Sequence, residues 1–314
     1  MGGQLIWREL LESDLEECLR MQPDALGHEL AGRDRAMKVW KALLRSPAFS
    51  GRVIERASNG KRGRILAFGS SVFVSAEFLE AETRHPRPGI NSRIIASVAE
   101  GKPVVLSHDQ VAAGNAGAGL HAVFLAHVWW KTSTPVEFSE MMMMSLGSCV
   151  DAHAGYRLRS IIVETPGEVM RMLRGHTGDF EIVREFQDVD RVLMRMTRER
   201  ASAVAGSAAN LLFQYREPLF RLRKPDQRLL IAALRGSIDR ELADQLGCSL
   251  AAVKKRWRSI FDQIEDVMPE MFALPAAGNK LQRGPQRRHL VLSYMREHYE
   301  ELRPFSRDRS KNHD

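Results

Sequence analysis

The segment from Leu222 to Ile264 restricts the fold of this 314-residue chain more than any other stretch. Apolar residues recur there at intervals of three and four, in three runs that Gly236 and Gly247 separate. Such intervals are typical of helices that bury one face, and glycine permits the tight turns between them. The segment therefore predicts three successive helices that share one apolar core.

The third of these helices has an apolar side and a basic side. Ser249 is a suitable N-cap for it. Its apolar stripe consists of Leu250, Val253, Trp257, Ile260, Phe261 and Ile264. Lys254 and Arg258, four residues apart, project from another side beside Lys255, and Arg256 lies further round the helix. A helix that is fixed by one face and basic on the other is suited to the groove of a DNA duplex.

Positive charge is concentrated in the same part of the chain. Residues 1–220 contain 27 Lys and Arg against 26 Asp and Glu, whereas residues 221–314 contain 19 against 13. The last third therefore carries a net charge of +6 out of a total of +7. A basic module of this kind attracts phosphate groups, although a merely soluble basic domain would have the same balance.

These residues resemble the LuxR-type helix-turn-helix domain, with which residues 222–264 align without gaps. The matching positions are Leu229, Leu230, Gly236, Glu241, Leu242, Ala243, Leu246, Ser249, Val253, Lys254 and Ile260. The resemblance implies double-stranded DNA as the partner, and it assigns base or phosphate contacts to Lys254, Lys255 and Arg258. The full set of predicted DNA-binding residues is Ser249, Ala251, Lys254, Lys255, Arg256 and Arg258. Three positions depart from the family: Ala252, Ser259 and Arg228 stand where it has threonine, asparagine and an acidic residue.

Two other interpretations of this segment stay open. A basic helix is also found as a solvated face or as a surface that docks another protein. A sigma-factor-like module, which recognises promoter DNA for RNA polymerase, has the same order of helices and a basic third helix. No polymerase-binding helical region is recognisable upstream, which speaks against the second interpretation.

Residues 1–200 predict a mixed α+β domain. The expected order is a strand, two helices, a hairpin, a central strand, a long helix, a strand, a helix and two strands. The hairpin joins residues 51–57 and 64–74 through a turn-forming run, and the central strand spans residues 121–130. Residues 112–119, rich in glycine and alanine, predict a flexible loop before that strand.

This order of elements resembles the GNAT family of N-acetyltransferases. The resemblance implies a glycine-containing loop after the central strand, whose backbone N–H groups bind the pyrophosphate of coenzyme A. Residues 131–137 occupy that place and read Lys-Thr-Ser-Thr-Pro-Val-Glu, without glycine. We therefore predict no cofactor and no catalytic residue, and a sensory role toward an unknown small molecule or protein effector.

The predicted organisation places a domain boundary near residue 200. A linker is expected over residues 201–221 and the helix-turn-helix domain over 222–268, followed over 269–314 by a loop, a C-terminal helix and a basic tail. In the resembled family a fourth helix often pairs two subunits. A homodimer through the C-terminal helix is therefore one prediction, and packing of that helix on its own chain is the other.

Other chemically active residues of the sequence are also explained by packing. Cys149 and His153 are four residues apart on the predicted long helix, but two ligands make no metal site, so we predict a packed cysteine beside a surface histidine and no metal. His121 and His127 share a face if their segment is a regular strand, and they then line a pocket or pack in the core. No Ser/His/Asp spacing of a nucleophilic enzyme is visible.

The three cysteines are far apart, which excludes a disulfide framework and predicts a cytoplasmic protein. The start of the chain lacks the pattern of a signal peptide, and its most apolar run is too short to span a membrane. We predict a sequence-specific DNA-binding transcriptional regulator whose GNAT-like domain senses a ligand or partner. The alternative is an N-acetyltransferase that a DNA-binding module brings to its target.

Overall fold

The computed structural model of the chain describes residues 4–21, 33–57, 63–129, 134–170, 180–204, 209–272 and 284–306. The chain divides into two compact units, Met1–Gln214 and Tyr215–Asp314. The described part of the predicted linker over residues 201–221 is not an open connection. Leu212 is buried in the core of the first unit, and Phe220 in the core of the second. These apolar side chains belong to the two cores, so the first unit extends to Gln214 rather than ending near residue 200.

Strands of the first unit form a single seven-stranded sheet. They are β1 Gln4–Glu9, β2 Phe49–Ala57, β3 Ile65–Val74, β4 Leu120–Trp129, β5 Leu158–Pro166, β6 Glu181–Phe186 and β7 Arg191–Thr197. Their order across the sheet is β1-β2-β3-β4-β5-β7-β6. β4 and β5 are parallel, and the other neighbouring strands are antiparallel. This mixed sheet with its helices confirms the predicted α+β class.

The helices of the first unit lie between and after the strands. They are α1 Leu15–Met21, α2 Arg33–Leu44, α3 Ala76–Arg84, α4 Ile90–Ala99, α5 His108–Ala116, α6 Pro135–His153, α7 Arg198–Ala203 and α8 Asn210–Phe213. The predicted hairpin is β2–β3, and the predicted long helix is α6. Three helices, α3 to α5, are inserted between that hairpin and the central strand β4. Most of the predicted turn at residues 58–63 and the first three residues of the predicted loop at 131–137 lie outside the described residues, whereas Thr134 caps α6 and Pro135 begins it.

The predicted flexible loop at residues 112–119 is wrong over its first half, which belongs to α5. Ser107 caps this helix by accepting a hydrogen bond from the backbone N–H of Gln110, whose side chain accepts one from the N–H of Ser107. Val111 is fully buried, and the buried Asn115 accepts a hydrogen bond from the N–H of Arg157. This reciprocal cap and the burial outweigh the low helix propensity of the local glycine.

Each face of the sheet is covered by its own helices. Trp40 of α2 and Ile94 of α4 share a core with Val123 of β4 on one face. Phe124, the next residue of β4, belongs to the core on the other face, with residues of α6 and α8. The described residues contain no helix that is both long and apolar enough to cross a membrane.

The described part of the second unit is helical. Its helices are α9 Lys224–Leu234, α10 Asp239–Leu246, α11 Leu250–Val267 and α12 Gly284–Glu297, with short 3-10 helices at Pro269–Phe272 and Tyr299–Leu302. Gly236 and Gly247 end α9 and α10 with positive φ angles of 91° and 60°, which favour glycine. Val291 and Met295 of α12 are fully buried with residues of α9, α10 and α11. The C-terminal helix therefore packs on its own unit.

Candidate ligand-binding site

A largely apolar cavity of about 390 Å³ lies in the first unit between the sheet and α6. Its floor is formed by β2 to β5 and β7, and its roof by α6 and α8. The volume falls within the range of roughly 300–1,000 Å³ that is common for small-molecule pockets. Phe124 and Val163, the last paired residues of the parallel strands β4 and β5, both line it. The cavity therefore lies where these two strands part.

A β-bulge in β4 determines which side chains reach this cavity. Ser70 of β3 pairs with Ala126 and Ser71 with Phe124, so that Leu125 has no partner in the register. The extra residue reverses the alternation of side chains along β4. Phe124 and His127 consequently both line the cavity, although an uninterrupted strand would direct them to opposite faces.

The bulge also corrects the prediction for His121, which does not share a face with His127. The imidazole of His121 lies 2.7 Å, Nδ1 to Oγ, from Ser160 of β5. Neither of these two residues lines the cavity. Burial lowers the pKa of His121, and it lowers that of His127 to about 4, so the His127 ring is neutral near pH 7.

Three residues form a row across the cavity floor: Arg52 of β2, Gly69 of β3 and His127 of β4. The missing side chain of Gly69 leaves open space, because a Cβ there would meet no heavy atom closer than the Ala126 carbonyl oxygen at 4.0 Å. Arg52 is held by an ion pair of 3.2 Å with Asp151 of α6. Arg52 on one side and His127 on the other thus border the open backbone at Gly69.

The C-terminal end of α6 brings a histidine into the same cavity. His153 is 3% exposed, and its Nε2 lies 2.9 Å from the hydroxyl oxygen of Ser71 on β3. Its Nδ1 lies 2.8 Å from the carbonyl oxygen of Cys149. A carbonyl oxygen only accepts hydrogen bonds, so Nδ1 carries a proton, and when the ring is neutral its Nε2 accepts from the Ser71 hydroxyl.

Cys149 is packed beside this histidine, as predicted, but His153 is buried rather than at the surface. The Cys149 sulfur lies 3.7 Å from Nδ1 of His153. Burial raises the pKa of its thiol to about 12, so the sulfur is protonated and a poor nucleophile at neutral pH. No group of three or more potential metal ligands occurs among the described residues.

The four methionines in the middle of α6, Met141–Met144, divide between packing and the cavity. Met141 is buried against Ile54 and Ala67 of the sheet. Met142 and Met143 line the cavity. Their flexible, polarisable side chains adapt to apolar ligands of different shape. A run of four methionines therefore contributes to the cavity wall, which its composition alone did not indicate.

Sequence reasoning missed the contact of Ser71 with His153, because 82 residues separate them. The sequence around Ser71 predicts an apolar strand of a hairpin, and His153 is the last residue of a helix. The feature that indicates this contact is the position of Ser71 opposite Phe124 in the sheet. That position becomes visible only when the register of β3 and β4 is known.

The predicted DNA-binding residues lie on α11 of the second unit. The hydroxyl oxygen of Ser249 caps this helix by accepting from the N–H of Ala252 at 3.2 Å. The exposed members of the set are Ser249, Ala251, Lys254, Lys255 and Arg258. Arg256 is only partly exposed. Val253, Trp257 and Ile260 are buried, so the exposed residues occupy the other side of the helix.

No family model matches this sequence, and no curated protein does. Similar solved structures include FeeM, an N-acyl amino acid synthase from uncultured soil microbes, at 10% identity and a TM-score of 0.35 over 64% of this chain and 94% of that one. The C-terminal condensation domain of Ebony in complex with beta-alanyl-dopamine has 10% identity and a TM-score of 0.38 over 63% and 100%. An aminoglycoside acetyltransferase, AAC(6')-Ib, in complex with coenzyme A has 11% identity and a TM-score of 0.32 over 64% and 99%.

Proposed function

We propose that the first unit binds an acyl chain in the cavity beneath α6 and works in acyl transfer. The cavity carries this proposal: its walls are mostly apolar, and polar groups reach it from the sheet at Arg52, Ser71 and His127 and from the end of α6 at His153. An apolar chain with one reactive polar end fits such a distribution, because burial of its methylenes is favourable and its carbonyl finds polar partners. The order of elements, which resembles the GNAT acetyltransferases, supports the same reaction class.

The acyl donor is left open in this proposal. The place of the pyrophosphate loop lacks glycine, and residues 130–133 lie outside the described part of the chain. We therefore propose an acyl thioester or ester by its chemistry and assign no coenzyme A contact to any residue. This corresponds to the alternative from the sequence, an acyltransferase joined to a DNA-binding module, rather than to a purely sensory first domain.

Displacement of a fluorescent fatty acid by unlabelled acyl chains of increasing length tests the proposal on the full chain. Saturable binding that strengthens with chain length is the expected result. Leu146→Trp should abolish it, because Leu146 lines the cavity. Gly147→Trp is the matched control on the same helix, since Gly147 is exposed and an added Cβ meets nothing within 4 Å. Equal binding by both variants, or no binding by the unaltered protein, would contradict the proposal.

A second proposal concerns the second unit, which we infer to be a helix-turn-helix module for duplex DNA. The observation in favour is that Lys254, Lys255 and Arg258 are exposed on α11 while its other side is buried in the core. If Lys254, Lys255 and Arg258 contact the phosphates and bases of a duplex, the protein acts as a transcriptional regulator. Its target is then DNA in the cytoplasm. The acyl ligand or product of the first unit is then the candidate effector.

Selection of bound duplexes from a random DNA pool tests the second proposal. Enrichment of one sequence is expected, and a palindromic product would show a homodimer, because half-site spacing reflects protein symmetry. Replacing Lys254, Lys255 and Arg258 together by Glu should abolish binding without unfolding the unit. Full affinity in that variant would leave the basic side as a solvated face or as a surface for a protein such as RNA polymerase.

A further inference from the structure

Ser71 and His153 meet the geometric requirements of a nucleophile and its base. The Ser71 hydroxyl donates to Nε2 of His153 over 2.9 Å, while Nδ1 donates to the Cys149 carbonyl oxygen over 2.8 Å. A nucleophile activated by an adjacent base, with that base oriented by a third group, is the general signature of covalent catalysis. Here the orienting group is a backbone carbonyl of the same helix as the histidine.

Aromatic rings fix the imidazole in this orientation. The ring of Phe124 is stacked on it with centroids 5.8 Å apart and planes inclined by 23°. Phe73 makes an edge contact from β3 at 6.3 Å. Since His153 is 3% exposed and Ser71 is 5% exposed, bulk water has little access to the pair from outside. Both side chains nevertheless line the cavity, from which an acyl chain would approach them.

Arg52 supplies a hydrogen-bond donor for the ligand oxygen in such a site. Its Nε atom is buried and has no hydrogen-bond partner among the described residues, although its Nη2 binds Asp151. A buried, unsatisfied donor requires an explanation, and a ligand oxygen provides one. Arg52 lies opposite Gly69, two residue pairs along the β2–β3 ladder from Ser50 and Ser71. Arg52 and Ser71 both line the cavity, and the rest of the guanidinium lies beside Glu9 and over the ring of Trp7, both on β1.

We propose that Ser71 is the nucleophile of the first unit and that it carries the acyl group as a serine ester. Its Oγ attacks the carbonyl carbon of an acyl thioester while its proton moves to Nε2 of His153. The C–S bond then breaks, and the thiol leaves with that proton. An amine or water attacks the ester and gives its proton to Nε2, the bond from carbon to Oγ breaks, and the proton returns to Oγ. Nε of Arg52 donates to the oxyanion.

The inference rests on the proposed acyl-chain binding and adds a covalent intermediate to it. The first unit also contains a second serine–histidine pair that serves as a control: Nδ1 of His121 lies 2.7 Å from Oγ of Ser160. Ser160 is 3% exposed, but neither member of this second pair lines the cavity. A hydrogen bond between serine and histidine is therefore present at both places, and of these two serines Ser71 is the one open to a ligand in the cavity.

Treatment of the full chain with dodecyl fluorophosphonate, followed by intact-mass measurement and peptide mapping, tests the proposal. The probe should form one adduct, on Ser71. Ser71→Ala should remove it, whereas Ser160→Ala should leave its position and rate unchanged. His153→Gln should slow labelling by about a hundredfold or more, which is the usual contribution of a general base. Ser71→Cys, which changes one atom, should transfer reactivity to an iodoacetamide probe at the new thiol.

Three results would overturn the proposal in distinguishable ways. If the unaltered protein binds the fluorescent fatty acid but gains no adduct on Ser71, the cavity is a binding site without a serine nucleophile. If neither binding nor an adduct is found, the proposed function fails together with the inference. Equal labelling of Ser160 would show that the probe reports any serine paired with histidine rather than a site in the cavity.

Discussion

The Nε atom of Arg256 lies 4.0 Å from a carboxylate oxygen of Asp226, which is 1% exposed at the start of α9. Arg223 pairs with the other oxygen of the same carboxylate at 3.0 Å. Arg256 therefore compensates a buried charge inside the second unit, whereas Lys254, Lys255 and Arg258 are exposed. One member of the predicted DNA-binding set thus has a structural task of its own.

This difference predicts that Arg256 and Arg258 affect different properties: Arg256 the stability of the second unit, and Arg258 its affinity for DNA. Arg256→Gln should reduce the free energy of unfolding of the second unit by about 1 kcal/mol, because it removes the second cation beside a buried carboxylate that keeps its hydrogen bond to Arg223. Arg258→Gln should leave stability within about 0.5 kcal/mol and weaken DNA binding. Urea unfolding and fluorescence anisotropy with a duplex measure the two quantities. Equal loss of DNA affinity in both variants would place Arg256 in the interface as well.

The salt dependence of DNA binding gives a second prediction. Replacing Lys254, Lys255 and Arg258 by Gln should flatten the slope of log K against log salt by about 0.9 for each phosphate that the variant no longer neutralises. Arg296→Gln is the control for a general change of charge, since Arg296 is an exposed residue of α12. An unchanged slope in the triple variant would mean that these residues bind no phosphate.

A third prediction concerns Gly69, whose position on the cavity floor is open. Gly69→Val should fill that space and weaken acyl-chain binding at least tenfold, while the stability of the first unit is kept, because the added atoms meet no close neighbour. Glycine in a strand interior also costs roughly 0.5–1 kcal/mol relative to alanine. Fatty acid displacement and thermal unfolding measure the two effects.

Gly114 provides the contrast for this substitution. A Cβ at Gly114 would collide with the side chain of the buried Leu120, and this overpacking exceeds the roughly 1 kcal/mol that alanine gains over glycine in a helix, so Gly114→Ala should destabilise the first unit by up to about 2 kcal/mol. Loss of stability in Gly69→Val, or unaltered ligand binding, would contradict the position assigned to Gly69.

The sequence predicts the elements of this chain better than the contacts between them. Apolar periodicity locates the helices of residues 222–264, and the turn signals locate β2 and β3, because these patterns are local. The bulge at Leu125 leaves no local pattern, although it decides that His127 faces the cavity. The pairing of Ser71 with His153 depends on strand register and helix placement together, so no spacing in the sequence reveals it.

The last prediction concerns Glu301, a buried carboxylate of the second unit. Its two oxygens accept hydrogen bonds from the backbone N–H groups of Leu219 and Phe220 at 2.7 and 3.0 Å. Burial raises the pKa of this group from 4.5 to about 7, against the opposing effect of these two hydrogen bonds. The folded state therefore holds the proton more tightly than the unfolded chain does.

The sign of the pH dependence follows from this difference. Because the folded-state pKa is the higher one, the stabilisation is complete below pH 4.5 and is lost as the pH rises to about 7 and above. The free energy of unfolding changes by about 1.4 kcal/mol for each unit of pKa difference between the folded and unfolded states, so Glu301 contributes about 3 kcal/mol at most. Glu301→Gln does not titrate, so its stability should be lower at acid pH, where its amide accepts one hydrogen bond fewer, but should vary less with pH. Urea unfolding at both ends of the interval measures this, and parallel pH profiles for the two proteins would refute it.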